Sequence, residues 1–92
     1  MRIYGNDRKL DFSEKAQQDI NYWKKTGNIK IQKKIKELLL SIQETPFHGI
    51  GKPEALKYEL SGSWSRRIDQ EHRIVYHVTE EFIRVESLKD HY

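Results

Sequence analysis

Apolar residues in the first half of the chain recur at helical spacing. Ala16, Ile20 and Trp23 fall at i, i+4 and i+7, which is one face of a helix. Ser13 stands ahead of them as an N-cap, Glu14 suits the positive end of the helix dipole, and Gly27 supplies a stop. Asn28 can cap a second helix whose Ile31, Ile35, Leu38, Leu39 and Ile42 form one stripe. Thr45-Pro46 ends it, because the residue before proline avoids helical angles. The stripe is predicted core. Lys33, Lys36 and Leu40 lie on the opposite side, so both lysines and a lone leucine are predicted to face water.

After Pro46 the period changes. Residues 47–53 form a loop punctuated by Gly49, Gly51 and Pro53. Beyond it, β-type runs at 56–60, 64–68, 73–78 and 82–88 are separated by Ser61-Gly62, Asp69-Gln70-Glu71 and Thr79-Glu80-Glu81. Connections this short predict an antiparallel meander. With residues 10–12 as an edge strand, the order is β-α-α-β-β-β-β. That order predicts an α+β fold, two N-terminal helices packed on one face of a twisted, mainly antiparallel sheet, as a single domain over residues 1–92.

Strand alternation places chemistry on the other face. Ile74, Tyr76 and Val78 are directed at the helices, so Arg73, Val75 and His77 look away from them. If Ile68 shares the core face, Arg67 falls beside Arg73, and a hairpin at Gln70 brings the two guanidiniums together. Like charges repel unless an anion lies between them, which points to phosphate. The alternative is that each arginine pairs with an acid such as Glu71 or Glu86.

Composition narrows the function. A core built from 92 residues is too small to enclose a large ligand, so an active site should be an open groove. The chain has no cysteine, and hence no disulfide framework or thiolate chemistry. No apolar run approaches the ~20 residues that span a bilayer, and the polar start 1–7 has no signal-peptide pattern. A cytoplasmic protein without membrane contact is expected. The net charge is +3, but residues 1–45 hold ten Lys/Arg against six Asp/Glu, while residues 46–92 hold seven against eight. Lys24, Lys25, Lys30, Lys33, Lys34 and Lys36 occupy a stretch with no acid, which suits attraction to phosphate backbones.

These residues contain what cleavage of RNA requires. RNA carries its own nucleophile in the 2′-hydroxyl. A protein must supply a base to deprotonate it, cations for the developing phosphorane charge and an acid for the departing 5′-oxygen. No metal or other cofactor is needed. Glu54 is the candidate base, Arg73, Arg67 and Lys57 are the candidate phosphate clamp, and His91 is the candidate acid because imidazole titrates near pH ~6.5. His77 on the open face is the reserve acid, with His48 on a loop surface and His72 in a turn. The rival is a non-catalytic basic module that grips RNA, DNA or the ribosome. It accounts for the lysines but not for a carboxylate in a nucleic-acid groove.

The runs Thr45-Pro46-Phe47, Gly51-Lys52-Pro53-Glu54, Leu60-Ser61-Gly62, Trp64-Ser65-Arg66-Arg67, Glu71-His72-Arg73 and the closing His91-Tyr92 resemble the Txe/YoeB toxins of type II toxin–antitoxin modules. The resemblance covers roughly residues 10–92 and implies the RelE/ParE-like fold, a variant of the microbial ribonuclease fold. It implies general-base work for Glu54, phosphate stabilisation by Arg73 assisted by Arg67, backbone contact by Lys57, acid work for His91 and base stacking or positioning for Tyr92. The implied activity is endoribonuclease cleavage of mRNA in the ribosomal A site, inhibiting translation. The implied partners are mRNA on the ribosome, ribosomal RNA and a labile YefM/Axe-type antitoxin; a homodimer is compatible with the same reading.

Overall fold

The computed structural model describes residues 8–90. Along the chain run β1 (Lys9–Phe12), α1 (Glu14–Thr26), α2 (Ile29–Glu44), β2 (Glu54–Ala55), a single 3-10 turn (Tyr58–Leu60), β3 (Ser63–Arg67), β4 (Arg73–Val78) and β5 (Phe82–Asp90). The strands form one sheet in the order β1-β5-β4-β3-β2. β2 to β5 make the antiparallel meander, while β1 lies parallel to β5 because the two helices carry the chain to the far edge before the meander returns.

Both helices begin and end where the pattern places them. Ser13 accepts from the Ala16 N–H, Gly27 adopts the left-handed φ of 68° at the end of α1, and Asn28 accepts from the Ile31 N–H. Ala16, Trp23, Ile31, Ile35, Leu38 and Ile42 are buried against Ile74, Tyr76, Ile83, Val85 and Leu88 of the sheet. Burying each such aliphatic side chain contributes about 1.5–3 kcal/mol. Leu39 and Ile20 flank this core half-buried, and Leu40 is exposed, as its angular position requires.

One predicted strand is absent. Residues 56–60 alternate like a strand, yet pairing stops after the bond from the Leu56 N–H to the Ser63 carbonyl. β2 has only two residues, and the 3-10 turn replaces the rest. As the sheet's edge, this segment has β3 on one side and no ladder on the other, so little holds Tyr58 and Leu60 flat. β4 spans the predicted range 73–78, while β1, β3 and β5 shift by a residue or two at their ends.

α1 also grips the sheet through polar atoms. The β4–β5 register shifts on both sides of Val75. There the Leu88 N–H donates to the buried Asp19 carboxylate at 2.8 Å, and the Leu88 carbonyl accepts from the Trp23 indole N–H at 2.9 Å. Ser13 adds bonds to the Val85 and Glu86 carbonyls. Lys15 pairs with both carboxylate oxygens of Asp19.

The loop after α2 is organised by a buried cation. Arg66 is completely inaccessible to solvent. Its Nε donates to the Tyr76 hydroxyl, Nη1 to Ser41 Oγ and the Ile50 carbonyl, and Nη2 to the carbonyls of Thr45 and His48. All five guanidinium N–H groups are used. The Tyr76 hydroxyl in turn donates a hydrogen bond to the Pro46 carbonyl at 2.6 Å, and burial pushes the phenol above its usual range against the lowering effect of Arg66. Gly51, at φ 85°, packs so closely that an added Cβ would stand 2.7 Å from Leu38 Cδ2, while its carbonyl accepts from the Arg67 N–H.

Replacing Arg66 by Met should therefore destabilise the protein by about 3 kcal/mol or more, since each buried acceptor left without a donor costs ~1–3 kcal/mol. Arg66→Lys should cost less, and Arg67→Met, at the exposed neighbour, should stay within about 0.5 kcal/mol. Urea unfolding of the three variants checks the ranking.

Candidate active site

The sheet face away from the helices holds the candidate groups. Arg66 and Tyr76 point into the helical side, so Ser65, Arg67 and Arg73 lie on the opposite face. Glu54 pairs in register with Ser65, and Arg67 with Arg73. The structure thus brings Glu54 to Arg73: Nη1 stands 3.0 Å from Glu54 Oε1 and also donates to Ser65 Oγ at 3.2 Å. Ser65 is fully buried beneath them. The Arg73 side chain is 13% exposed and that of Glu54 62%, so the acid is presented to solvent while the cation is embedded.

Arg73 has an acidic partner, as the alternative for these arginines supposed, but that partner is the candidate base rather than Glu71 or Glu86. Glu86 instead accepts from the Ser63 hydroxyl. Arg67 is exposed and, among the described residues, has no ion-pair partner. It lines an open groove of about 320 Å³ with Lys34 and Lys52, joining the lysine-bearing side of α2 to the sheet. Lys33 borders a neighbouring groove with Asn28, Lys30 and Asp69, whereas Lys36 borders an apolar groove between α1, α2 and β1. The two lysines read as one cationic face therefore serve different surfaces.

Lys57 is exposed where the chain leaves β2, its carbonyl accepting from the Leu60 N–H. His77 is half-buried, opposite Ser63 and Arg84, and away from the Glu54–Arg73 pair in the β3–β4 register. His91 and Tyr92 lie outside the described residues, as do residues 1–7. Asp90, which precedes His91, pairs in register with Arg73 and accepts from Ser87 Oγ at 2.5 Å. Val75, expected on the open face, is on it and yet only 2% exposed. Among the described residues no three His, Asp or Glu side chains are grouped as metal ligands, and no helix is long and apolar enough to cross a membrane.

Four contributions escaped the sequence, among them the polar bond of Trp23, whose helical spacing marks it only as core. Arg66 shapes the loop that delivers Glu54, Ser65 helps hold Arg73, and Asp19 with Trp23 fixes the strand that ends beside Arg73. Only the Trp-Ser-Arg-Arg run signalled the first two. Nothing in helical spacing marks Asp19, a polar residue on an apolar face, as a bond to a peptide 69 positions away.

The turn ahead of Arg73 is also built. Asp69 accepts from the Glu71 and His72 N–H groups and contacts the His72 imidazole at 3.2 Å, while that ring meets Trp23 edge-on at 4.9 Å. Partial burial pushes the Asp69 carboxyl up, but the bonds from His72 and Glu71 together outweigh it and hold it below its ordinary value.

Toxins from toxin–antitoxin pairs share this architecture. The YoeB dimer from Staphylococcus aureus superposes with a TM-score of 0.85 at 45% identity, covering 94% of this chain and 99% of that one. A YoeB–YefM complex from the same organism gives 0.81 at 46%, covering 92% and 98%. Toxin YoeB of Escherichia coli (strain K12) is 49% identical over 84 residues, spanning 91% of this chain and 99% of that protein. The chain belongs to the YoeB-like toxins of bacterial type II toxin-antitoxin systems, whose family model matches residues 12–92.

Because the folded Asp69 carboxyl titrates below its unfolded value of 3.8, its contribution to stability is present above that pH and is lost as pH falls through the folded value. Asp69→Asn should lower the melting temperature at neutral pH, and the gap to the parent should close as the pH drops below 3.8. A thermal-melt series across pH checks this.

Proposed function

We propose that this toxin is a ribosome-dependent endoribonuclease acting as one unit over residues 1–92 in the cytoplasm, cutting mRNA in the ribosomal A site without a metal ion. The observation that carries the reading is the contact of an exposed carboxylate, Glu54, with an embedded guanidinium, Arg73, on the helix-free face of the sheet. The Glu54 end of the pair is 62% exposed, so water can solvate the carboxylate once it leaves the guanidinium. A phosphodiester can therefore take the guanidinium and release Glu54 into solvent, keeping the embedded cation paired with an anion. A purely binding module gains nothing from a carboxylate that repels phosphate at that point.

In the proposed reaction, Glu54 accepts the proton of the ribose 2′-hydroxyl as the 2′-oxygen forms its bond to phosphorus. The bond to the 5′-oxygen breaks, His91 protonates that oxygen, and a 2′,3′-cyclic phosphate remains. Arg73 stabilises the phosphorane charge, Arg67 and Lys57 hold the backbone, and Tyr92 positions a base. Lys52 and Arg67, with Lys34 of α2 paired to the exposed Glu37 at 3.6 Å and Asp69 in the same groove, supply net positive charge that attracts ribosomal RNA. By likeness to the S. aureus complex, a YefM-type antitoxin is the proposed neutralising partner, and the S. aureus dimer supports a homodimer.

Primer extension on translated mRNA tests the reading. The parent should produce discrete cuts within reading frames only when ribosomes are present, and Arg73→Ala should reduce cleavage by about 100- to 1000-fold. Glu54→Gln should relieve growth arrest in cells expressing the toxin alone. An Arg73→Ala protein within about threefold of the parent would remove Arg73 from the mechanism.

His91→Gln should lower turnover far more than Tyr92→Ala, because glutamine cannot deliver a proton to the leaving oxygen, whereas a lost stacking contact is worth only ~1–3 kcal/mol. Single-turnover rates on ribosome-bound mRNA compare them. Equal losses would make the tail purely positional.

A further inference from the structure

Among the described residues, the non-glycine residues with positive φ are Lys52 at 53° and Tyr58 at 58°. They bracket Glu54, two positions before it and four after. Left-handed backbone is costly for a side chain as large as tyrosine and persists where function or surroundings demand it.

Tyr58 receives nothing in return from the fold. Its residue surface is 91% exposed, and among the described residues its ring and hydroxyl have no partner. The turn around it closes through backbone alone, by bonds from the Leu60 N–H to the Lys57 carbonyl and from the Ser61 N–H to the Tyr58 carbonyl. A glycine at 58 would make the same turn without strain. The chain therefore holds a large aromatic in a strained, unpacked position directly after the strand that carries the candidate base.

We propose that Tyr58 is a stacking platform for an unstacked nucleobase of the RNA strand lying along the sheet face that carries Glu54 and Arg73. This rests on the endoribonuclease reading and adds to it a base subsite. The chemistry fits single-stranded RNA, since such sites combine backbone-tracking cations with aromatic faces, and Lys57 stands next to the ring. Four residues of chain span at most about 14 Å, which keeps the ring within reach of a nucleotide adjacent to the scissile phosphate. The residue is 91% exposed and its ring meets no other aromatic ring among the described residues, so the ring stands as an isolated plane suited to one planar ligand.

The test uses the full chain on ribosomes programmed with mRNA carrying 2-aminopurine in turn at each position flanking the A-site codon, with a 2′-deoxy sugar at the cut to prevent cleavage. The parent, Tyr58→Phe and Tyr58→Trp should quench the fluorophore at one position. Tyr58→Ala and Tyr58→Gly should leave it bright there and raise the KM for cleavage of ordinary mRNA by about 5- to 100-fold. Tyr58→Gly should also melt at a higher temperature than the parent, separating loss of the ring from loss of the fold. Unchanged quenching and KM in Tyr58→Ala would overturn the proposal, as would Tyr58→Phe behaving like Tyr58→Ala, which would assign the effect to the hydroxyl. If the parent binds and quenches but cuts no mRNA, the nuclease reading fails while the stacking site stands.

Discussion

The Arg66 guanidinium, without a carboxylate beside it among the described residues, sits fully buried between α2 and the sheet, and the shape of the candidate site depends on how it is accommodated. Removing a cation from water is costly unless other groups replace its hydration. For Arg66 they do so completely: carbonyls at and beyond the C-terminal, negative end of α2, a serine hydroxyl and the Tyr76 phenol take all five N–H groups. Meeting that demand bends residues 45–50 around one side chain. Gly51 then packs against Leu38 and passes the chain to Pro53 and Glu54 at the edge of β3. The placement of the candidate base is thus a consequence of solvating a buried charge.

The neighbouring arginines show how far one residue of alternation reaches. Arg66 turns inward and is locked, whereas Arg67 turns outward and lines an open groove with Lys34 and Lys52. Arg73, opposite Arg67, lies between these extremes. It is embedded enough to be held by Ser65 and Glu54, and its carboxylate partner is exposed enough to be displaced. Rigid support beneath an exchangeable ion pair suits a site that must hold its geometry and still admit an anion.

The other wall of the site is held by α1. The irregular register of β4 and β5 leaves the Leu88 peptide to Asp19 and Trp23, which satisfy its N–H and carbonyl from the helix. The strand that leads to Asp90 is therefore tied to a helix near the beginning of the chain. Residues conventionally assigned to the core and residues of the site form one connected structure, in which polar bonds decide position and apolar burial supplies most of the stability.

The sequence by itself determined what depends on local or periodic physics. Ser13, Gly27 and Asn28 bound the helices because capping and left-handed backbone are properties of single residues, and the stripe from Ile31 to Ile42 is buried because its spacing leaves one apolar face. Alternation in β4 likewise put Arg73 opposite the core. It could not determine that 56–60 leaves the sheet, because an edge segment with strand-like spacing lacks the second neighbour that would keep it paired. Nor could it show that Arg66 has no need of an acid, that Glu54 itself is the partner of Arg73, or that Asp19 bonds to a peptide in β5. Those outcomes depend on which distant groups the assembled sheet and helices bring within hydrogen-bond distance, and only the tertiary structure decides that.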